Sequence, residues 1–248
     1  MRWVSRFSNS GIANIFQFAW RRSQGSLSLL IVGLCVAIFL AVAFLGLAGI
    51  SSRQATMSVL GLSYAGVVQH HWFFQFLTAP LLHVNLTHLL FNMLSLWMLG
   101  PGVEDRLGRT RYIVFSMLCA LSSMAGSLLL NWGTGSIVYG YSGIIFGILV
   151  AQAMYFPDSI IAFYGFFPLK MKYAVLIMGG VELYLTIAPE AGGIAHSAHL
   201  FGALAAFLYL RGLRWRQGPW VQNIAQEGMR MRSRWRTRRN RIRMPREL

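Results

Sequence analysis

Apolar residues in this chain are gathered into long uninterrupted runs. Leu27–Ile50 is the clearest, carries no charge, and with 24 residues falls within the roughly 17–25 that cross a hydrocarbon core of ~30 Å. It is too long and too far from the start of the chain for a signal peptide, so it is read as a helix. Further runs lie at Val84–Gly100, Tyr112–Leu130, Val138–Phe156, Met171–Ala188 and Ile194–Leu210. Glycine and serine interrupt the fourth and sixth runs, and the fifth carries Glu182. The seven prolines (80, 101, 157, 168, 189, 219 and 245) fall between or beyond the runs, where a chain can turn. The pattern predicts an all-α, polytopic membrane protein with a bundle of six transmembrane helices. Residues 51–82 are apolar and aromatic but too broken to span, and are expected to lie in the outer membrane interface.

Composition agrees with that picture. Hydrophobic residues make up 56% of the chain and charged residues 12%, about half the charged share of ordinary soluble domains. This excludes a disordered chain, a collagen-like fibre and a disulfide scaffold. Cys35 and Cys119 each sit inside an apolar run, so neither reads as half of an extracellular disulfide. The net charge of +15 would suggest nucleic acid if it were spread over a soluble domain. With six spans, however, all but Arg53 of the 22 basic residues fall on one side of the membrane. Five or seven spans would break this partition, so both termini are expected in the cytoplasm. The layout is then a cytoplasmic segment over 1–26, a membrane-embedded domain over 27–210 and a basic cytoplasmic tail over 211–248. The tail holds twelve arginines. Those at 230, 232, 234, 236 and 238 alternate, so a helix would carry charge all round. Its expected partner is the anionic lipid surface rather than nucleic acid.

Polar side chains inside spans are costly and point to function. They are His88 and Asn92 in the second run, Ser142 in the fourth, Glu182 in the fifth, and His196 and His199 in the sixth, with His83 at the entrance to the second. The second, fourth and sixth spans all run from outside to inside. Ser142 and His199 therefore fall at one level, some 6–8 Å below the outer edge at ~1.5 Å per residue, and His88 enters at a similar depth. A serine beside an imidazole is the pair needed for nucleophilic catalysis. Gly140 and Gly143 around Tyr141-Ser142 permit a tight turn with amides open to an oxyanion. Asn85, His88, Asn92 and Ser95 form a polar stripe whose donors suit the same task. Gly202, Ala203 and Ala206 share a face with His199 and would let two helices approach closely.

These residues resemble a known family. His83-Val84-Asn85-Leu86-Thr87-His88-Leu89-Leu90-Phe91-Asn92, Gly140-Tyr141-Ser142-Gly143 and Ala198-His199-Leu200-Phe201-Gly202 are similar, in order and spacing, to the motifs of the rhomboid intramembrane serine proteases of the bacterial six-span type. The resemblance implies a Ser–His dyad without cofactor or metal: Ser142 as nucleophile, His199 as general base. It implies an oxyanion site of His88, Asn92 and the Ser142 amide, with His83 supporting the active-site mouth. Glu104, Arg106 and Gly108 resemble the family's structural E-x-R-x-G stretch. It further implies a multi-pass protein of the bacterial inner membrane that cleaves transmembrane segments of other membrane proteins near the outer face. Phe146 stands where a tyrosine commonly stacks beneath the imidazole. Ala206 replaces the second glycine of the span-six G-x-x-x-G. Phe74-Gln75 replaces the Trp-Arg of the first loop.

Other readings remain at this level. His196 competes with His199 as base on chemistry alone, and only His199 has the H-x-x-G spacing. Against a zinc protease, the chain contains no H-E-x-x-H. A transporter lined by His88, Asn92 and Glu182 lacks duplicated broken-helix halves and leaves Gly-Tyr-Ser-Gly unexplained. A catalytically inactive relative that binds transmembrane segments is the other alternative. Glu182 is expected to hydrogen-bond a neighbouring helix; a role as third catalytic member is the rival reading.

Overall fold

The computed structural model describes residues 23–163, 167–188 and 196–216. The expectations for the basic residues at 2–22, the Pro189–Gly193 loop and the arginine tail past 216 lie outside the described residues. The chain divides into two units, Met1–Phe207 and Leu208–Leu248. In the second, residues 208–216 form the final turns of the last helix.

The helices are α1 (Leu27–Leu47), α2 (Arg53–Leu60), a four-residue α3 (Gln75–Thr78), α4 (Leu86–Leu107), α5 (Arg109–Leu130), α6 (Ser142–Tyr155), α7 (Met171–Ile187) and α8 (His196–Arg216). The all-α class holds, with two small additions. Strands β1 (Leu62–Ser63) and β2 (Ile137–Val138) pair antiparallel, and so do β3 (Ile160–Phe163) and β4 (Phe167–Lys170). Between the prolines at 157 and 168 the apolar stretch is too short to be picked out by periodicity, which is why this hairpin is invisible in the sequence.

Among the described residues three helices, α1, α4 and α5, are long and apolar enough to cross a membrane. α6 is apolar but has 14 residues. It rises ~21 Å, short of a ~30 Å core. Its start differs from the expected Val138. Gly140 takes φ +116°, a conformation glycine alone adopts readily, and the helix begins only at Ser142. The second run extends further than expected. α4 continues through Pro101 to Leu107, so this proline is not a boundary. Proline removes one helix hydrogen bond. Beside that break the Gln152 side chain of α6 donates to the Leu99 carbonyl at 2.7 Å.

α1 buries little of its surface, as a helix facing lipid does; Leu30, Phe44 and Leu47 are exposed. Its start is held by Glu104 near the end of α4. Glu104 accepts from the Leu27 amide at 3.0 Å, and from the Ser28 amide and hydroxyl at 3.3 Å each. Two of the orphan donors at a helix start thus find an acceptor. Arg109, rather than Arg106, stands against Glu104, at 3.9 Å, and also donates to the Gly25 carbonyl. Arg106 instead lies over the Phe156 ring at 5.0 Å.

Segment 51–82 is broken as expected and packs inward. Leu62, Val67 and Ala79 share a core cluster with Met124, Val138 and Ala198. Gln75 organises it: fully buried, it accepts from the Ser63 amide at 3.1 Å and donates to the Val59 carbonyl at 2.8 Å. At the position where the resemblance has the arginine of Trp-Arg, a neutral amide is thus buried against backbone.

A close backbone contact joins α6 to α8. A Cβ added at Gly202 would overlap the Gly143 carbonyl, and one added at Gly147 would come within 3.4 Å of the Ala206 Cβ. The small-residue stripe read from the sequence is therefore a backbone-to-backbone seam. Phe201 covers Gly126 of α5 beside it, and its carbonyl accepts from the Ser122 hydroxyl at 3.0 Å. α7 is held differently. Its described buried residues are Met171 and Ala174 at one end, while Val181, Leu183, Tyr184 and Ile187 are exposed.

Two stability outcomes are expected. Glu104→Ala strips the acceptor from buried donors and should destabilise the protein by about 2–4 kcal/mol, read as a lower melting temperature in detergent. An unchanged melting temperature would show that the Glu104 contacts do not hold α1. Gly202→Ala forces the seam apart and should cost about 1–3 kcal/mol in the same assay, whereas Gly33→Ala, with open space around it, should cost nothing measurable.

Candidate active site

Ser142 is the first residue of α6. The Gly140 amide donates to the Ala79 carbonyl at 2.9 Å, which ties the preceding turn to the segment beneath. Tyr141 is buried, and its carbonyl accepts from the Ile144 and Ile145 amides at 3.0 and 3.1 Å. The amides of Ser142 and Gly143 belong to the first turn and have no acceptor within the helix. They sit beside the Ser142 hydroxyl and are suited to receive negative charge.

His199 comes from the first turns of α8. Its Nε2 lies 2.8 Å from Ser142 Oγ, within direct proton-transfer reach. The Phe146 ring stacks on the imidazole at 4.5 Å with 7° between planes, so the ring contact persists without a tyrosine hydroxyl. The seam between Gly143 and Gly202 lies within one turn of both residues and fixes their separation.

On its far side His199 meets Glu182 of α7. Glu182 Oε2 is 3.0 Å from His199 Nδ1 and 2.7 Å from His196 Nδ1. The His196 contact has hydrogen-bond geometry. The His199 contact lies off the N–H line and is electrostatic, leaving Nδ1 buried without a formal hydrogen bond. Both histidines are 8% exposed. Glu182 is thus bonded to a neighbouring helix, as expected, and it also touches the candidate base. Nothing in the spacing of α8 points to this acid, because it arrives from another helix. A search for a carboxylate near a histidine in sequence therefore misses it. The ligand atoms of Glu182, His196 and His199 lie within 4.8 Å of one another.

The α4 residues divide in their roles. His88 faces the turn before Ser142: a Cβ on Gly140 would fall 2.6 Å from its ring, so Gly140 is required for this approach as well as for its backbone angle. Asn92 is buried, but its side-chain amide donates to the His88 carbonyl one turn back, at 2.8 Å. Asn85 leaves the polar stripe altogether and caps α4 by accepting from the His88 amide at 2.8 Å. His83 is 2% exposed, packs edge-on against His88 at 5.0 Å, and neither ring nitrogen has a protein hydrogen-bond partner. Burial, with His88 nearby, pushes its pKa down to about 4. Between roughly pH 6.5 and 4 the unfolded chain takes up a proton that the folded chain refuses, so acid erodes stability there.

A cavity of about 960 Å³ opens beside this cluster, with Arg53, Val84, Tyr139, Thr186, His196 and Ser197 among its walls. Arg53 donates to the Val84 carbonyl at 2.6 Å at its edge.

A family model described as the Rhomboid domain matches residues 70–216, a span that includes every candidate site residue. A rhomboid protease GlpG from Enterobacter sp. (strain 638) is 30% identical over 130 residues, covering 52% of this chain and 43% of that protein. Proteins of the same name from Yersinia pestis (strain Pestoides F) and Yersinia pseudotuberculosis serotype O:3 (strain YPIII) are each 30% identical over 129 residues, with the same coverage. The match spans less than half the length of these curated relatives. Together with its apolar helices, this identifies a multi-pass integral membrane protein, and the chain belongs to the rhomboid family.

Proposed function

We propose that this protein is an intramembrane serine endopeptidase that cleaves transmembrane segments of other membrane proteins near the outer face of the bilayer. The observation that carries this reading is the 2.8 Å contact between His199 Nε2 and Ser142 Oγ in a member of the rhomboid family. In the proposed reaction His199 removes the Ser142 proton as the oxygen attacks the scissile carbonyl, then returns it to the leaving amine. The Ser142 amide and His88 receive the oxyanion. Asn92 joins them once its amide turns away from the His88 carbonyl, and His83 supports His88 from behind. The reading places the chain in a bacterial inner membrane with six spans, both termini cytoplasmic, and the arginine tail on anionic head groups.

The substrate carbonyl is hydrogen-bonded within its own helix and must be exposed by local unwinding. α7 is the element suited to admit it, since its described buried residues cluster at one end while Val181, Leu183, Tyr184 and Ile187 are exposed.

Cleavage of a model transmembrane substrate tests this reading against an inactive binder and a transporter. Ser142→Ala and His199→Ala should abolish cleavage, and a fluorophosphonate should label the wild type and not Ser142→Ala. His88→Ala should slow cleavage by ~10²–10³-fold without unfolding the protein. Labelling that survives in Ser142→Ala would remove Ser142 as the nucleophile. For substrate entry, a disulfide tethering α7 to α4 should block transmembrane-substrate cleavage while still admitting the small fluorophosphonate. Full proteolysis in a completely cross-linked sample would favour entry from above instead.

A further inference from the structure

We propose that Glu182 is a positioning residue for His199, holding its imidazole with the proton on Nδ1 so that Nε2 is free to accept from Ser142. The inference rests on the Ser142–His199 reading and adds a third member to it.

The geometry supplies the argument. The two nitrogens of His199 face different partners: Nε2 meets Ser142 Oγ at 2.8 Å and Nδ1 meets Glu182 Oε2 at 3.0 Å. A neutral imidazole carries one proton. An oxygen acceptor at Nδ1 draws the proton there and leaves the Nε2 lone pair aimed at the hydroxyl. Phe146 fixes the ring plane from one side, and His196 fixes the carboxylate with its 2.7 Å hydrogen bond. When Ser142 Oγ attacks, its proton passes to Nε2 and the ring becomes an imidazolium. The Glu182 carboxylate then faces the new positive charge until Nε2 releases the proton to the leaving amine. The side chain of Glu182 is 13% exposed, so little water screens this contact. At 3.0 Å the two atoms are already within hydrogen-bonding distance, and catalytic hydrogen bonds commonly tighten only when substrate is bound.

A bound metal is the competing use of Glu182, His196 and His199. Two donors on a tetrahedral ion at ~2.0–2.1 Å stand about 3.3 Å apart, whereas Glu182 and His196 are 2.7 Å apart. That is the separation of two atoms sharing a proton. Among the described residues the titratable groups facing His199 are Glu182 from α7, His196 from its own helix and His88 from α4. Glu182 is the one acid among them.

The test uses the full chain in detergent or vesicles, with rates normalised to folded protein. Glu182→Gln places an amide at Nδ1 that can donate, which moves the ring proton to Nε2 and disables the base. It should lower kcat roughly 10- to 100-fold with little change in KM, and slow fluorophosphonate labelling of Ser142 in parallel. The acid limb of kcat/KM should move to lower pH, because no carboxylate favours the imidazolium. Glu182→Asp should recover part of the rate. His196→Ala should cost less, and nothing further when added to Glu182→Gln, since it acts through the same carboxylate. Wild-type kcat and an unshifted acid limb in Glu182→Gln, with Ser142→Ala and His199→Ala inactive, would overturn the proposal and leave a simple dyad. Activity in Ser142→Ala would instead overturn the reading beneath it. Zinc retained by the wild type, lost from Glu182→Gln and required for cleavage, would replace positioning with a metal site.

Discussion

The arrangement of the site depends on one contact between backbones. Gly202 lies so close to the Gly143 carbonyl that no side chain fits between them. Both glycines are within one turn of the candidate nucleophile and base, Gly143 beside Ser142 and Gly202 three positions beyond His199. In lipid, helices gain little from burying apolar surface against each other, so contact depends on packing and on polar pairs. A seam of bare backbone is the closest packing available. It brings Ser142 and His199 within hydrogen-bonding distance without a single side chain acting as spacer. The remaining contacts steady what the seam creates, with Phe146 beneath the imidazole, Phe201 over Gly126 and the Gly140 turn against His88.

The polar groups follow a complementary rule. Inside the bilayer each must find a partner, and most do so locally. Asn85 caps its own helix, Asn92 reaches one turn back, and Gln75 and Gln152 serve backbone atoms of neighbouring segments. Ser142, His199, Glu182 and His196 differ because their partners come from three separate helices. Such a cluster spends helix-to-helix geometry on a chain of contacts, and any shift of α7 or α8 is felt by every member.

Much of this was legible in the sequence. Long apolar runs fixed the helical class, and the glycines of Gly140-Tyr141-Ser142-Gly143 and the Gly202–Ala206 stripe correctly marked a sharp turn and a close approach. Those signals are local, and local patterns report local structure. What escaped was non-local or cooperative. Pro101 looked like a boundary, yet α4 carries through it, and Gln152 from another helix bonds the Leu99 carbonyl nearby. The start of α6 was misplaced by four residues because hydropathy cannot see a positive φ at Gly140. Asn85 and Asn92 shared a helical face with His88, but a face does not reveal that capping and back-bonding claim both amides. Glu182 could be named as an acid in a span; only the packing of α7 on α8 assigns it two histidines.

The hold of Glu104 on α1 also bears on how the chain is made. The Ser28 amide and the Glu104 carboxyl that receives it are 76 positions apart. At 5–20 residues per second, translation delivers the glutamate roughly 4–15 s after the helix start it completes. Until Glu104 is made, α1 lacks this acceptor for its leading amides. It can be retained only by its apolar length and by the Ser26 hydroxyl, which accepts from the Leu29 amide at 3.2 Å. The bundle therefore closes backwards, the later helix reaching to fasten the earlier one.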